Sequence, residues 1–262
     1  MSAPSDALLL ERQGSVATIT LNHPERANAL YPGEFHALAA LLKSEGADPE
    51  VRAIVLTGQG ERAFCAGLNL ADRDAIRADI ASAGPTGLGA VLRVAFGLEV
   101  PLIARLNGSC VAGGMGLLGA CDYAISVSTA RYGLPEIPHG MIPHVALAGI
   151  RGRARDEFLE DCARTGDLID APTALSAGLI DKVCEREELD AAVERFLAGV
   201  LNGSVPVRMQ RRLAADMVGA QERFAAADAA ARSGAKSSTV DSIDDISQLR
   251  LIGGHFGRNI PV

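Results

Sequence analysis

Leu106-Asn-Gly-Ser-Cys110-Val-Ala-Gly-Gly-Met115-Gly-Leu-Leu-Gly-Ala120-Cys-Asp122 is the stretch on which the fold turns. A short apolar run, Leu102-Ile-Ala104, leads into it and reads as a strand. Five glycines follow within the stretch, and from Gly113 onward the residues are small and apolar at helical density. Strand, glycine turn and apolar helix together aim bare backbone N–H groups into a cavity. The first turn of a helix has N–H groups without intrahelical partners, and the helix dipole favours negative charge there. The segment is therefore a candidate anion or oxyanion site. Glycine is also what close helix–sheet packing needs, and the glycines alone leave both readings open.

Outward from that centre, the chain reads as layered α/β structure. Towards the N-terminus, Ala7–Leu10 and Val16–Leu21 are apolar, β-branched runs separated by Arg12-Gln-Gly-Ser15, a hairpin signal. Phe35, Leu38, Leu41 and Leu42 recur at helical spacing from Pro32 to about Glu45, with Gly46 placed to stop the helix. Val51–Thr57 reads as a strand, Asp72–Ala81 and Val91–Leu98 as helices, and Ser82–Gly87 as a Gly/Pro loop suited to motion. Beyond the centre, Tyr123–Ser126 is a further strand. Leu189–Leu201, Val205–Asp216 and Ala220–Arg232 are alanine-rich, amphipathic helices. The expected division is a core over residues 1–190 and a helical region with a tail over 191–262. In that tail Ser233–Asp245 reads as a loop, and Leu249, Leu251, Ile252 and Phe256 want burial, with another subunit as the expected cover.

Bulk properties narrow the function classes. The chain has 262 residues, 48% of them hydrophobic and 22% charged, an ordinary balance for a globular protein. A net charge of −7 argues against a nucleic-acid surface, which needs a basic face. No apolar run is long enough for a membrane span, and Met-Ser-Ala-Pro-Ser-Asp6 lacks the basic and apolar regions of a secretory signal. The five cysteines show no CxxC spacing, so neither a disulfide framework nor a zinc site is expected. The expectation is a cytoplasmic protein with neither nucleic-acid nor membrane partners and no metal.

Individual motifs sharpen this. Gly114-Met-Gly-Leu-Leu-Gly119 fits G-x-G-x-x-G, and Glu136 lies 20 residues beyond Gly116. A dinucleotide site nevertheless needs that acid at the end of the next strand. Glu136 instead sits in Leu134-Pro-Glu-Ile-Pro138, so that reading fails. Flanked by isoleucine and two prolines, Glu136 is a candidate for a raised pKa and for proton exchange near neutrality. A solvated loop glutamate is the competing reading. His139 and His144 bracket Gly140-Met-Ile-Pro143; either is a possible polar partner of Glu136.

Taken together, the segments resemble the crotonase, or enoyl-CoA hydratase/isomerase, superfamily over roughly residues 8–200. The resemblance rests on Ala17-Thr-Ile-Thr-Leu-Asn22-His-Pro-Glu-Arg-Ala-Asn-Ala-Leu30, on Val55-Leu-Thr-Gly58 and on Ala63-Phe-Cys-Ala-Gly-Leu-Asn-Leu70. It continues through Asn107-Gly108, Ala112-Gly-Gly114, Cys121-Asp122, Gly133-Leu-Pro-Glu-Ile137, Thr165-Gly166 and Ala177-Gly-Leu-Ile-Asp-Lys-Val183. It implies an α/β fold, a crotonase-like spiral of ββα units, with a C-terminal helical trimerisation region and assembly into homotrimers or dimers of trimers. It implies an oxyanion hole formed by the backbone N–H groups of Leu68 and Gly113, holding an acyl-CoA thioester as its enolate. Coenzyme A, present as part of the substrate and not as a resident cofactor, would run along Arg26, Ala27 and Asn28 and along Ala66, Gly67 and Gly114. The lysine that the family often places after its Ala-Gly motif is Ala71 here, so Arg26 or Arg73 would serve the phosphates.

Hydratases of the family carry two glutamates. One corresponds to Glu136 and the other to Gly116, so half of the hydration equipment is missing. A single base can lift a proton from one carbon and return it to another. The expected activity is therefore isomerisation of 3-enoyl-CoA to 2-enoyl-CoA with Glu136 as the single acid/base. A first alternative is a hydratase or carbon–carbon lyase in which His139, His144, Asp72 or Asp74 replaces the missing acid. A second is a non-catalytic acyl-CoA-binding subunit. After Pro143 the chain also leaves the family pattern, reading His144-Val-Ala-Leu-Ala-Gly149-Ile-Arg, so the wall beside Glu136 is expected to differ.

Overall fold

The computed structural model describes residues 6–137, 140–204 and 219–234. Strands β1 (Leu8–Gln13) and β2 (Val16–Leu21) form the expected antiparallel hairpin, turning at Gly14 with φ +57°. Helix α1 (Pro32–Ala47) follows, with proline at its start and the Glu34 carboxylate accepting the Tyr31 N–H at 2.8 Å. Phe35, Leu38 and Leu42 are its buried face. Gly46 does not stop this helix. It lies inside it, and a β-carbon there would run into Leu98, so the glycine serves close packing.

From here the chain winds in repeated turns. Each turn adds one strand to a large sheet, one to a small sheet, and then helical structure. The first turn is β3 (Ala53–Gly58), β4 (Ala63–Cys65), α2 (Arg73–Ala81) and α3 (Gly87–Phe96). The second is β5 (Leu102–Leu106), β6 (Ser109–Val111) and α4 (Gly113–Gly119). The third is β7 (Tyr123–Val127), β8 (Arg131–Gly133), α5 (His144–Ile150) and α6 (Asp156–Thr165). The chain then passes through β9 (Ile169–Asp170), α7 (Ala171–Ser176), β10 (Lys182–Cys184) and α8 (Leu189–Leu201), and the last described helix is α9 (Ala220–Gly234). Among the described residues the large sheet has the order β1-β2-β3-β5-β7-β10, parallel after its first pair, and the small sheet β4-β6-β8-β9. This is the ββα spiral that the sequence implies.

All six residues of β3 are buried, as a central parallel strand covered on both faces requires. Two buried asparagines stitch successive turns together. Asn107 accepts the Gly58 N–H at 3.0 Å and donates to the carbonyls of Gly60 and Ala63 at 2.7 and 3.0 Å. Asn28 accepts the His23 N–H at 2.9 Å and donates to Gln59 and to the same Ala63 carbonyl at 3.0 and 2.7 Å. These bonds hold the loops at one end of the sheets in fixed relation, and that end carries the site.

One helix start differs from the sequence reading. Helix α3 begins at Gly87, four residues before Val91, because the Thr86 hydroxyl oxygen accepts the Gly89 N–H at 3.4 Å and caps it there. Residues of the loop before it are hydrogen-bonded to α2 and to α9, as described below. Of the C-terminal region, the expected helix Val205–Asp216 and the tail Leu249, Leu251, Ile252 and Phe256 lie outside the described residues. Helix α9 packs against α5, α3 and α2 of its own chain, with Phe224 edge-on to Phe96 at 4.9 Å between ring centroids. Among the described residues no helix is long and apolar enough to cross a membrane.

Candidate active site

The G-x-G-x-x-G run is helix α4, and its glycines have separate tasks. Gly114 is buried with its α-carbon against the Cys65 backbone of β4. Gly116 and Gly119 face α5, where a β-carbon on Gly116 would lie 3.2 Å from the Ala146 α-carbon and one on Gly149 would lie 2.9 Å from Gly116. Thus α4 and α5 approach backbone to backbone. Gly113 differs: it is the first helical residue, so its N–H has no intrahelical acceptor. Ala112 before it is held at φ +51°, ψ −128°, a conformation a side chain rarely adopts. It is fixed by its N–H on the Gly133 carbonyl at 3.0 Å and by its own carbonyl, which accepts the Met115 N–H at 2.9 Å.

Leu68 lies beside Gly113. Leu30 bridges this segment in parallel fashion, donating to the Gly67 carbonyl at 2.9 Å and accepting from Asn69 at 2.8 Å. That pattern turns the Leu68 N–H away from Leu30. The two amides are adjacent: a β-carbon on Gly67 would lie 2.5 Å from the Gly113 nitrogen, and one on Gly113 would lie 3.6 Å from the Leu68 nitrogen. Gly67, at φ +83°, makes that approach possible. Neither amide donates to another protein group among the described residues. Such a pair of fixed, unspent donors is what an oxyanion needs.

Ala66, Leu68, Ala112 and Gly113 form one end of a cavity of about 240 Å³. Glu136 enters the same cavity from the loop after β8. The Met141 N–H donates to the Glu136 carbonyl at 3.0 Å and the Gly140 N–H to the Ile137 carbonyl at 2.9 Å, which fixes the loop. Its Oε2 is buried without a hydrogen-bond partner in the described residues, and this burial pushes the carboxyl pKa up to about 7. A hydrogen bond from the residue's own backbone to its carboxyl works against that shift.

The other candidates are distributed unevenly. His144, at the start of α5, lines the cavity, and burial holds its pKa below the usual histidine value, so its imidazole is neutral at pH 7. His139 lies outside the described residues. Asp72 and Asp74 do not line the cavity: Asp72 caps α2 by accepting the Ala75 N–H at 2.9 Å, and Asp74 faces solvent beside Arg77. Asp79, which sequence reasoning missed, does line it. Both of its oxygens are engaged, one with His36 Nε2 at 2.8 Å and the other with the Gly87 N–H at 2.9 Å.

Along the expected coenzyme path, Ala66 lines the cavity beside Leu68, whereas Gly67 and Gly114 are not among its lining residues. The Ala27 carbonyl accepts the Ala66 N–H at 3.0 Å, and Asn28 is wholly buried with its amide spent on the bonds above. The Arg26 guanidinium is bound by both oxygens of Glu34 at 2.9 Å and stacks 4.4 Å from the Tyr31 ring centre, so its charge is already countered. Ala231 of α9 also lines the cavity, with Thr86, Gly87 and Leu88. No local pattern announces a lone alanine that reaches the cavity from the far end of the chain.

A sequence model described as Enoyl-CoA hydratase/isomerase matches residues 11–243. A crotonyl-CoA hydratase of Syntrophomonas wolfei is 30% identical over 215 residues, 79% of this chain and 80% of that protein. A carnitinyl-CoA dehydratase of Salmonella enteritidis is 33% identical over 208 residues, covering 78% and 77%. Among solved structures, an enoyl-CoA hydratase/carnithine racemase from Magnetospirillum magneticum superposes with a TM-score of 0.71 at 27% identity, covering 82% of this chain and 81% of that one.

Proposed function

The chain belongs to the enoyl-CoA hydratase/isomerase family, and on that premise we propose that it isomerises 3-enoyl-CoA to 2-enoyl-CoA with Glu136 as the only proton-transferring acid. The thioester carbonyl lies between the Leu68 and Gly113 N–H groups. Ionised Glu136 takes a proton from C2, the electron pair moves into the carbonyl, and the dienolate oxygen is held by the two donors. The same carboxyl then returns the proton to C4, and the double bond comes to rest between C2 and C3. Fixed donors of this kind are worth about 3 kcal/mol each on a developing oxyanion. A base with a pKa near 7 is well matched to a weak carbon acid at neutral pH.

The observation that carries this reading is the close approach of Gly116 to Ala146: a β-carbon on Gly116 would lie 3.2 Å from the Ala146 α-carbon, so a second carboxylate there, where the family's hydratases hold one, needs α5 to give way. Asp79 is a poor substitute, since both of its oxygens already accept hydrogen bonds. Proton NMR in deuterated buffer with a 3-enoyl-CoA and, separately, crotonyl-CoA tests it. Double-bond movement without formation of 3-hydroxyacyl-CoA is the expected result; rapid hydration of crotonyl-CoA would refute it.

Hydration is the second reading. It is favoured by His144, a neutral imidazole on the same cavity that could orient water, and by the relatives named as hydratase and dehydratase. It predicts that His144→Ala abolishes water addition and leaves deuterium exchange at C2.

A further inference from the structure

The first turn of α3 is held by two carboxylates from two other helices. Asp79 of α2 accepts the Gly87 N–H at 2.9 Å. Asp228 of α9 is only 3% exposed; its Oδ1 accepts the Thr86 hydroxyl at 2.6 Å and the Thr86 N–H at 3.3 Å. Its Oδ2 accepts Arg93 Nη2 at 3.3 Å. Gly89 makes room for it, since a β-carbon there would fall 2.5 Å from Oδ1. Arg232, one turn further along α9, donates to the Gly84 carbonyl in the same loop. A buried carboxylate at a helix start is stabilised by the dipole and by the open N–H groups, and it is costly to leave unpaired.

What these bonds hold is a wall of the cavity. Thr86, Gly87 and Leu88 line it from α3, and Ala231, three residues after Asp228, lines it from α9. Leu68 and Gly113 line the same cavity, and a β-carbon on Gly113 would lie 3.4 Å from the Leu88 side chain. The wall's position is therefore set by how firmly α9 is docked. Phe35, Ile76 and Ile80 line the same chamber; its one aspartate, Asp79, has both oxygens spent on His36 and Gly87, and among the described residues no lysine or arginine lines it, so the chamber suits an uncharged acyl chain.

We infer that Asp228 is a positioning residue that latches α9 onto the first turn of α3, and that Ala231, carried on the same helix, sets the length of acyl chain the chamber accepts. This rests on the acyl-CoA reading given above. The latch acts on the space that the cavity leaves to the acyl group. Loosening it relaxes the discrimination among chain lengths. Enlarging Ala231 shortens the chamber.

The test is calorimetric binding of butyryl-, octanoyl- and dodecanoyl-CoA to the full chain and to Asp228→Asn and Ala231→Leu, with deuterium exchange at C2 followed in parallel. Ala231→Leu should lower the octanoyl-to-butyryl affinity ratio about tenfold, the cost of displacing a few buried methylenes. Asp228→Asn should move the ratios the other way, weakening the preference against dodecanoyl-CoA severalfold. A merely structural role would weaken all three ligands alike. Wild-type ratios retained in both variants, with folding verified by circular dichroism, would overturn the inference. Absence of exchange in the wild type, with chain-length selectivity shifting as expected, would sink the catalytic reading and leave this one standing.

Discussion

The α-carbon of Ala146 stands 3.2 Å from the point where a side chain on Gly116 would begin. Helix α5 thus occupies the direction in which a second catalytic carboxylate would project from α4. Restoring that carboxylate by Gly116→Glu should not create a hydratase. It should force α5 off α4, with loss of about 1–3 kcal/mol of stability as in other overpacked cores. Denaturant unfolding and a crotonyl-CoA hydration assay check the two halves. A stable variant that hydrates crotonyl-CoA would show that α5 yields easily and that the contact does not decide the chemistry.

The pH dependence of turnover follows from Glu136. Its carboxyl must be ionised to start the reaction, and burial has raised its pKa to about 7. In the free enzyme kcat/KM should therefore rise with pH through about 7 and level off above it. Glu136→Gln should abolish turnover at every pH while leaving acyl-CoA binding within a fewfold. A rising limb near 4.5, the ordinary glutamate value, would mean that the carboxylate is solvated in the working enzyme.

The same shift bears on stability, with the opposite sign from a salt-bridged acid. Folded Glu136 holds its proton more tightly than unfolded Glu136, whose pKa is 4.5. Between about 4.5 and 7 the folded state binds more protons, so stability falls as pH rises through that window and is flat beyond it. The loss amounts to about 3 kcal/mol at most. Urea midpoints of wild type and Glu136→Gln, taken at pH 5 and pH 8, check this: the variant should lack the wild-type decline. Parallel declines in the two proteins would assign the pH dependence elsewhere.

Glu136 was legible in the sequence because its neighbours are local: two prolines and an isoleucine already describe an apolar loop. The hairpin and the central strands were legible for the same reason, since their residues alternate or run apolar within six positions. Gly116 was visible as a departure, but its cause lay in a helix thirty residues on, whose glycine at 149 signals nothing by itself. Asp79 and Asp228 were not legible as site residues. Each sits in an ordinary amphipathic or alanine-rich helix, and the bond from Thr86 to Asp228 spans 142 positions. The two roles open to the glycines of α4 separated only in three dimensions: Gly113 gives its N–H to the cavity, whereas Gly114, Gly116 and Gly119 permit close packing.

Asn28 offers a way to separate scaffold from binding surface. It lies in the stretch expected to receive coenzyme A, yet its side chain makes three hydrogen bonds inside the protein, and its backbone holds φ +55°, which asparagine tolerates better than alanine. Asn28→Ala leaves the buried Ala63 carbonyl with fewer donors and strains the turn. The expected loss is about 2–4 kcal/mol of stability. Acyl-CoA affinity of the fraction that remains folded should change little, as titration well below the melting temperature would show. A large drop in affinity with unchanged stability would place the Asn28 side chain at the ligand.

Gly67 is where scaffold and chemistry meet. A β-carbon there would lie 2.5 Å from the Gly113 nitrogen, and the residue's φ of +83° already disfavours any side chain. Gly67→Ala must therefore push Leu68 and Gly113 apart, and those two N–H groups are the proposed oxyanion donors. Misplacing one such donor costs about 100- to 1,000-fold in kcat. Because the donors also polarise the ground-state carbonyl, though less strongly than the enolate, KM should move far less than kcat. Single-turnover exchange at C2 separates the two effects, since it reads enolate formation directly. Gly67 itself takes no part in the two sheets or in the Asn28 and Asn107 bonds that hold the fold. A folded Gly67→Ala protein that exchanges at the wild-type rate would remove the paired amides from the mechanism and leave Glu136 to act without them.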